Sequence, residues 1–187
     1  MADPTAPTTY LAFLRAVNVG GRTVTMERLR ALFTELGLSE VRSYIQSGNV
    51  FFRTDEPDRA ALTRRIEQHL EEALGYPVPT MLRTVEEVEE LLASDPFAGI
   101  ELTPDTRHCV VFLSEPLPAD LELPRSTPKG DLEVVSATPG AAFVVVHIIN
   151  GRPAGNPGAA FGKTYRGHGT ARFLHTTVKI LAAAKKE

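Results

Sequence analysis

Val41-Arg-Ser-Tyr-Ile-Gln-Ser-Gly-Asn-Val-Phe-Phe-Arg53 sets two strand-like runs, Val41–Gln46 and Val50–Arg53, around Ser47-Gly48-Asn49. Ser-Gly-Asn between β-forming residues is a tight-turn signal, so the stretch reads as a hairpin. What flanks it decides the fold. Upstream, Thr25 can cap a helix whose apolar positions Met26, Leu29, Leu32, Phe33 and Leu36 follow the helical period, with Gly37 ending it. Downstream, Pro57 opens a second helix carrying Leu62, Ile66, Leu70 and Ala73 on one face, closed by Gly75. Strand-like runs lie outside both helices, at Thr9–Leu14 and Val78–Leu82. The order is β-α-β-β-α-β, the split β-α-β pattern of a ferredoxin-like unit.

The second half begins with Thr84 and Glu87, spaced as a capping box ahead of Val88, Leu91 and Leu92; this connecting helix ends near Pro96. Arg107–Leu113 reads as a buried strand, followed by a stretch rich in proline (Pro116, Pro118, Pro124, Pro128). Leu132–Ala137 and Ala142–Ile149 form a hairpin around Pro139-Gly140. Residues 151–158 are loop by composition, and a short helix is expected over Ala159–Tyr165. A last helix begins near Thr176, with Val178, Leu181 and Ala182 facing inward. The expected class is α+β, built from two ferredoxin-like units of which the second is degraded. Unit one covers residues 8–83, a connecting helix and linker 84–106, and unit two 107–187.

Composition is that of an ordinary globular chain, 43% hydrophobic and 23% charged over 187 residues. The net charge of −3 hides an asymmetry. Residues 1–128 carry 12 Lys/Arg against 20 Asp/Glu, and residues 129–187 carry 8 against 3. Cys109 is the only cysteine, which excludes an intrachain disulfide and a multi-cysteine metal site. Residues 1–9 read as a frayed tail, and the longest apolar run, 141–149, is too short to span a bilayer. No membrane partner is expected, and the expected location is cytoplasmic.

Two polar interruptions of the first unit carry its candidate site. In the split β-α-β path, the first strand-to-helix loop and the hairpin turn fall at the same end of the sheet. The loop contains Arg15, Asn18, Gly20 and Gly21, and the turn contains Gln46, Ser47 and Asn49. Arg15 brings a planar fork suited to carboxylate or phosphate. The amides of Asn18, Gln46 and Asn49 both donate and accept, and Gly20-Gly21 let backbone N–H groups face an anion. Structural roles compete with these readings: the glycines also serve a bend, and Ser47-Gly48 also serves a turn.

Tyr10–Gly21 and Met26–Phe52, above all Val41–Val50, resemble family 1697 of the bacterial domains of unknown function. The similarity is close over residues 9–55, looser through Pro96-Phe97, and returns at Thr170-Ala-Arg172 and Thr176–Leu181. The resemblance implies two ferredoxin-like halves and no established activity. The family usually has Gly where Ala16 stands, Asn-Trp where Phe173-Leu174 stand, and Ser-Lys-Leu near Phe161-Gly-Lys163-Thr164. Lys163 and Arg172 are on this basis added to the candidate ligand-binding set.

No His/Cys/Asp/Glu spacing points to a metal, no glycine pattern points to a nucleotide cofactor, and no cofactor is expected. His168, between Gly167 and Gly169, is the histidine placed most like a site residue. The leading expectation is a small anionic or polar ligand. The rival is nucleic acid stacked on Tyr10, Phe13, Phe51 and Phe52 of the central strands. A third reading is an enzyme with Arg15 as charge stabiliser and His168 as acid/base; no reaction or catalytic residue follows from the residues alone.

Overall fold

A computed structural model describes residues 6–186; residues 1–5 of the expected N-terminal tail lie outside the described residues. The fold is α+β, with one four-stranded and one five-stranded antiparallel sheet and four α-helices among the described residues. The described residues up to Glu90, with those from Ile180 on, make one compact unit, and Leu91–Lys179 make the other.

In the first unit, β1 (Thr8–Leu14), α1 (Met26–Glu35), β2 (Ser39–Ser43), β3 (Asn49–Thr54), α2 (Arg59–Leu74) and β4 (Thr80–Thr84) follow one another. The strands lie in the order β2-β3-β1-β4. Local chemistry explains the boundaries. The Thr25 hydroxyl accepts from the Arg28 N–H at the start of α1, and the Asp58 carboxylate accepts from Ala61 N–H at the start of α2. Gly75 ends α2 in the left-handed region, its N–H bonded to Glu71 O. Tyr10, Ala12, Leu14, Val50 and Phe52 pack with Leu29, Leu32 and Phe33 of α1 and Leu62, Ile66 and Leu70 of α2. Ala73 is exposed, so the buried face of α2 ends one turn earlier than its sequence period suggests.

The capping box forms as read. Thr84 N–H donates to Glu87 Oε2 at 2.8 Å and Glu87 N–H to Thr84 Oγ1 at 3.2 Å, opening α3 (Val85–Ala93). Arg42 of β2 donates to the carbonyls of Ala183 and Ala184, at 2.9 and 3.0 Å, satisfying the last turn of α4 (Leu174–Ala184).

The second unit holds β5 (Thr106–Leu113), β6 (Arg125–Ser126), β7 (Leu132–Thr138), β8 (Ala141–His147) and β9 (Gly169–Phe173), ordered β6-β7-β8-β5-β9. Its strands repeat the register of the first. Phe13 faces Asn49 and Leu14 faces Thr80 in one sheet; Phe112 faces Ala141 and Leu113 faces Gly169 in the other. The prolines between β5 and β7 leave two-residue β6 where the first unit has α1.

Three local elements differ from expectation. Residues 169–173, for which no element is expected, form strand β9, and α4 starts at Leu174, not near Thr176, because the chain turns directly from β9 into the helix. The inward residues of α4 are Thr177, Ile180 and Ala184, while Val178 and Ala182 are exposed. The Thr177 hydroxyl, donating to Phe173 O at 3.0 Å, fixes that phase. The expected short helix is a 3-10 turn over Pro157–Phe161.

His108 of β5 stacks on Phe97, ring centroids 4.3 Å apart, and its buried Nε2 has no hydrogen-bond partner among the described residues. Burial holds its pKa below 6.5. The unfolded chain therefore takes up a proton that the folded chain refuses, so stability is full above pH 6.5 and falls as pH drops below it. His108→Phe keeps a ring against Phe97 and should flatten that acid-side fall. Urea denaturation of both proteins between pH 5 and 7 checks it; equal slopes would contradict it.

Candidate functional site

The loop after β1 and the turn between β2 and β3 meet at one end of the first sheet. Leu14 N–H donates to Gly48 O at 2.9 Å, and Asn18 Nδ2 donates to Gln46 O at 3.4 Å. On the other side, Arg15 N–H donates to Pro79 O at 2.9 Å, and the Arg22 guanidinium lies 4.3 Å above the Tyr76 ring. The loop is thus held from both flanks.

Gly48 is what lets the two segments approach. Its φ is +77°, and a Cβ there would stand 2.6 Å from Val17 Cγ2 and 3.2 Å from Leu14 Cβ. Asn49 is 1% exposed, and its side-chain amide donates to Tyr44 O and Ser47 Oγ, closing its own turn. Asn18 also works on the backbone, its Oδ1 accepting from Val24 N–H at 2.7 Å. Both asparagines frame the site. Gln46 and Ser47 are exposed beside them, and Arg15 is half-buried at the loop's start.

The backbone of this loop is unusual. Ala16 (φ +61°), Asn18 (+56°), Gly20 (+60°) and Gly21 (+81°) lie in the left-handed region, while Val17 and Val19 do not. Gly20 and Gly21 occupy the centre of a turn closed by Arg22 N–H on Val19 O at 3.1 Å, and positive φ at both central residues gives it the primed form. Val19, Gly20 and Gly21 are exposed, and their N–H groups donate to no group among the described residues. The N-terminus of α1 is a separate feature: Thr25 caps it, and Glu27 sits in its first turn. Across the gap, Ile45 is also left-handed (+50°). Sequence offered no sign of strain at Ala16 or Ile45, because neither residue type favours positive φ.

The remaining candidates lie in the second unit. Lys163 is exposed after the 3-10 turn. Arg172 is 8% exposed within β9, donating to Thr170 Oγ1 and Ala171 O, and burial draws its pKa down to about 10. It remains a cation at neutral pH. His168 is exposed, but its backbone is fixed: Ser114 N–H donates to His168 O, and His168 N–H donates to Ser114 Oγ. Cys109 is buried, and that burial pushes its thiol up to about 11, away from nucleophilic chemistry.

Tyr10, Phe13, Phe51 and Phe52, the rings expected to stack bases, are all buried. Among the described residues no group of three or more His, Cys, Asp or Glu could hold a metal ion, and no helix is long and apolar enough to cross a membrane.

A family model described as "Protein of unknown function (DUF1697)" matches residues 8–143. That range includes both first-unit loops and stops short of Lys163 and Arg172. The chain is similar to the solved structure of conserved bacterial protein SP0830 from Streptococcus pneumoniae, with 27% identity and a TM-score of 0.72. The match covers 97% of this chain and 100% of that one. No curated protein matches this chain.

Two substitutions of opposite sign test the framework. Gly48→Ala adds both a clash and left-handed strain and should cost about 2–4 kcal/mol. Ala16→Gly, which suits the left-handed backbone at that position, should gain about 0.5–1 kcal/mol after the larger unfolded-state entropy of glycine is subtracted. Urea midpoints at unchanged m values check both.

Proposed function

We infer that this chain, which belongs to the DUF1697 family of proteins of unknown function, binds a small anion at the 15–25 loop and the 44–48 turn of its first sheet. The observation that carries this reading is the primed turn at Gly20-Gly21, at the end of a loop with positive φ at Ala16 and Asn18, which leaves the amides of residues 19–21 exposed. Successive backbone N–H groups in a turn form an anion-binding concavity, the arrangement by which loops hold phosphate and other anions. The exposed amides of Val19, Gly20 and Gly21 supply donors with no described internal partner.

Arg15 opens the loop and adds a cation with planar donor geometry. Gln46 and Ser47 contribute neutral polar groups from the facing turn. Asn18 and Asn49 position, since their amides are engaged with the backbone and with Ser47. This division assigns recognition to backbone amides and Arg15, and rigidity to the asparagines and Gly48.

Isothermal titration with inorganic phosphate, sulfate and acetate tests the reading. At least one of these anions should bind, and Arg15→Ala should weaken it about tenfold or more, the loss expected for a charge-assisted contact. The thermal unfolding midpoint should stay within a few degrees of the parent, showing that the loss is in binding. Equal affinity in both proteins, or no binding of any of the three, would overturn it.

A further inference from the structure

We propose that the anion carries an apolar body, so that the natural ligand is an aryl or alkyl phosphate or carboxylate instead of a bare inorganic ion. This rests on the anion-site reading above and adds to it a specificity. Val19 is 53% exposed and Ile45 is 47% exposed, one on each of the two loops. The bond from Asn18 Nδ2 to Gln46 O ties those loops together, and Val19 and Ile45 are the chain neighbours of the tied residues. Consecutive Cα atoms are about 3.8 Å apart, so Val19 and Ile45 stand at the rim around that tie, both of them exposed. The donor amides of residues 19–21 begin at one of them.

Ile45 supplies an independent argument. Its φ of +50° is an outlier for a β-branched residue and strains the backbone there. Glycine or asparagine would occupy the position with less strain, and half of the Ile45 side chain is left in water, so burial within the folded chain offsets little of that strain. An apolar group seated on the rim covers both exposed side chains and supplies the missing burial. The polar and apolar parts of the rim then read one ligand: amides and Arg15 take the charge, and Val19 and Ile45 take the hydrocarbon.

Titration of the full chain with two matched pairs, inorganic phosphate with phenyl phosphate and acetate with benzoate, tests this. In at least one pair the aryl compound should bind about tenfold tighter, the scale of covering two half-exposed aliphatic side chains. Ile45→Asn should remove most of that advantage and leave the affinity for the parent anion within twofold, and Val19→Ser should likewise shrink the ratio of aryl to parent affinity. Ile45→Asn suits its backbone conformation and should fold at least as stably as the parent. If a parent anion binds but its aryl partner binds no tighter, the specificity is overturned and the anion site stands. An aryl advantage that survives both substitutions also overturns it. Failure of all four compounds to bind overturns both readings.

Discussion

The N–H of Leu14 reaches the carbonyl of Gly48 at 2.9 Å, an approach open only to a residue with no side chain. Leu14 is the last residue of the central strand β1, and that bond fixes the hairpin turn against the point where the chain leaves the sheet. The loop that follows is consequently short of room: Val17 packs beneath Gly48, and the backbone passes through positive φ at Ala16 and Asn18 before the turn at Gly20-Gly21. A strained loop persists only where its surroundings hold it from several sides. Here they are Gly48, Gln46, Pro79 and Tyr76.

The second unit uses the same wiring for a different loop. Leu113 N–H donates to Gly140 O at 3.0 Å and Ser114 N–H to His168 O at 2.8 Å, matching the bonds of Leu14 and Arg15. With the shared register, this makes the two sheets structural counterparts although no repeat is visible between their sequences. What diverges is the segment after the central strand. In the first unit it is a glycine-bearing loop entering α1. In the second it is proline-rich and yields only β6. The strand pairing is shared by the two sheets, and the left-handed loop belongs to the first.

Much of this was legible in sequence where local chemistry and period agree. Thr25, Gly75 and the Thr84/Glu87 pair mark helix ends through hydrogen bonds their side chains or backbone must make, and Leu62, Ile66 and Leu70 mark a face. Residues 169–173 were not legible as a strand, because the run is short, starts at glycine and carries Arg172 inside. Its strand state comes from pairing with β5, a tertiary effect. At the site, residue type showed that Asn18, Gln46 and Asn49 bring amide chemistry, but not where it points. Asn49 turns into its own loop. The positive φ of Ala16 and Ile45 runs against their propensities, and both residues flank the closure at Gly48.

We propose that closure at Gly48 presents the amides of Val19, Gly20 and Gly21 to an anion, and amide NMR during titration with whichever of phosphate, sulfate and acetate binds tests this residue by residue. Saturable shifts are expected at the N–H groups of Val19, Gly20 and Gly21, with Leu14 and Arg15 N–H little changed because Gly48 O and Pro79 O already hold them. Shifts confined to other parts of the chain, or none at residues 19–21 at saturation, would contradict it.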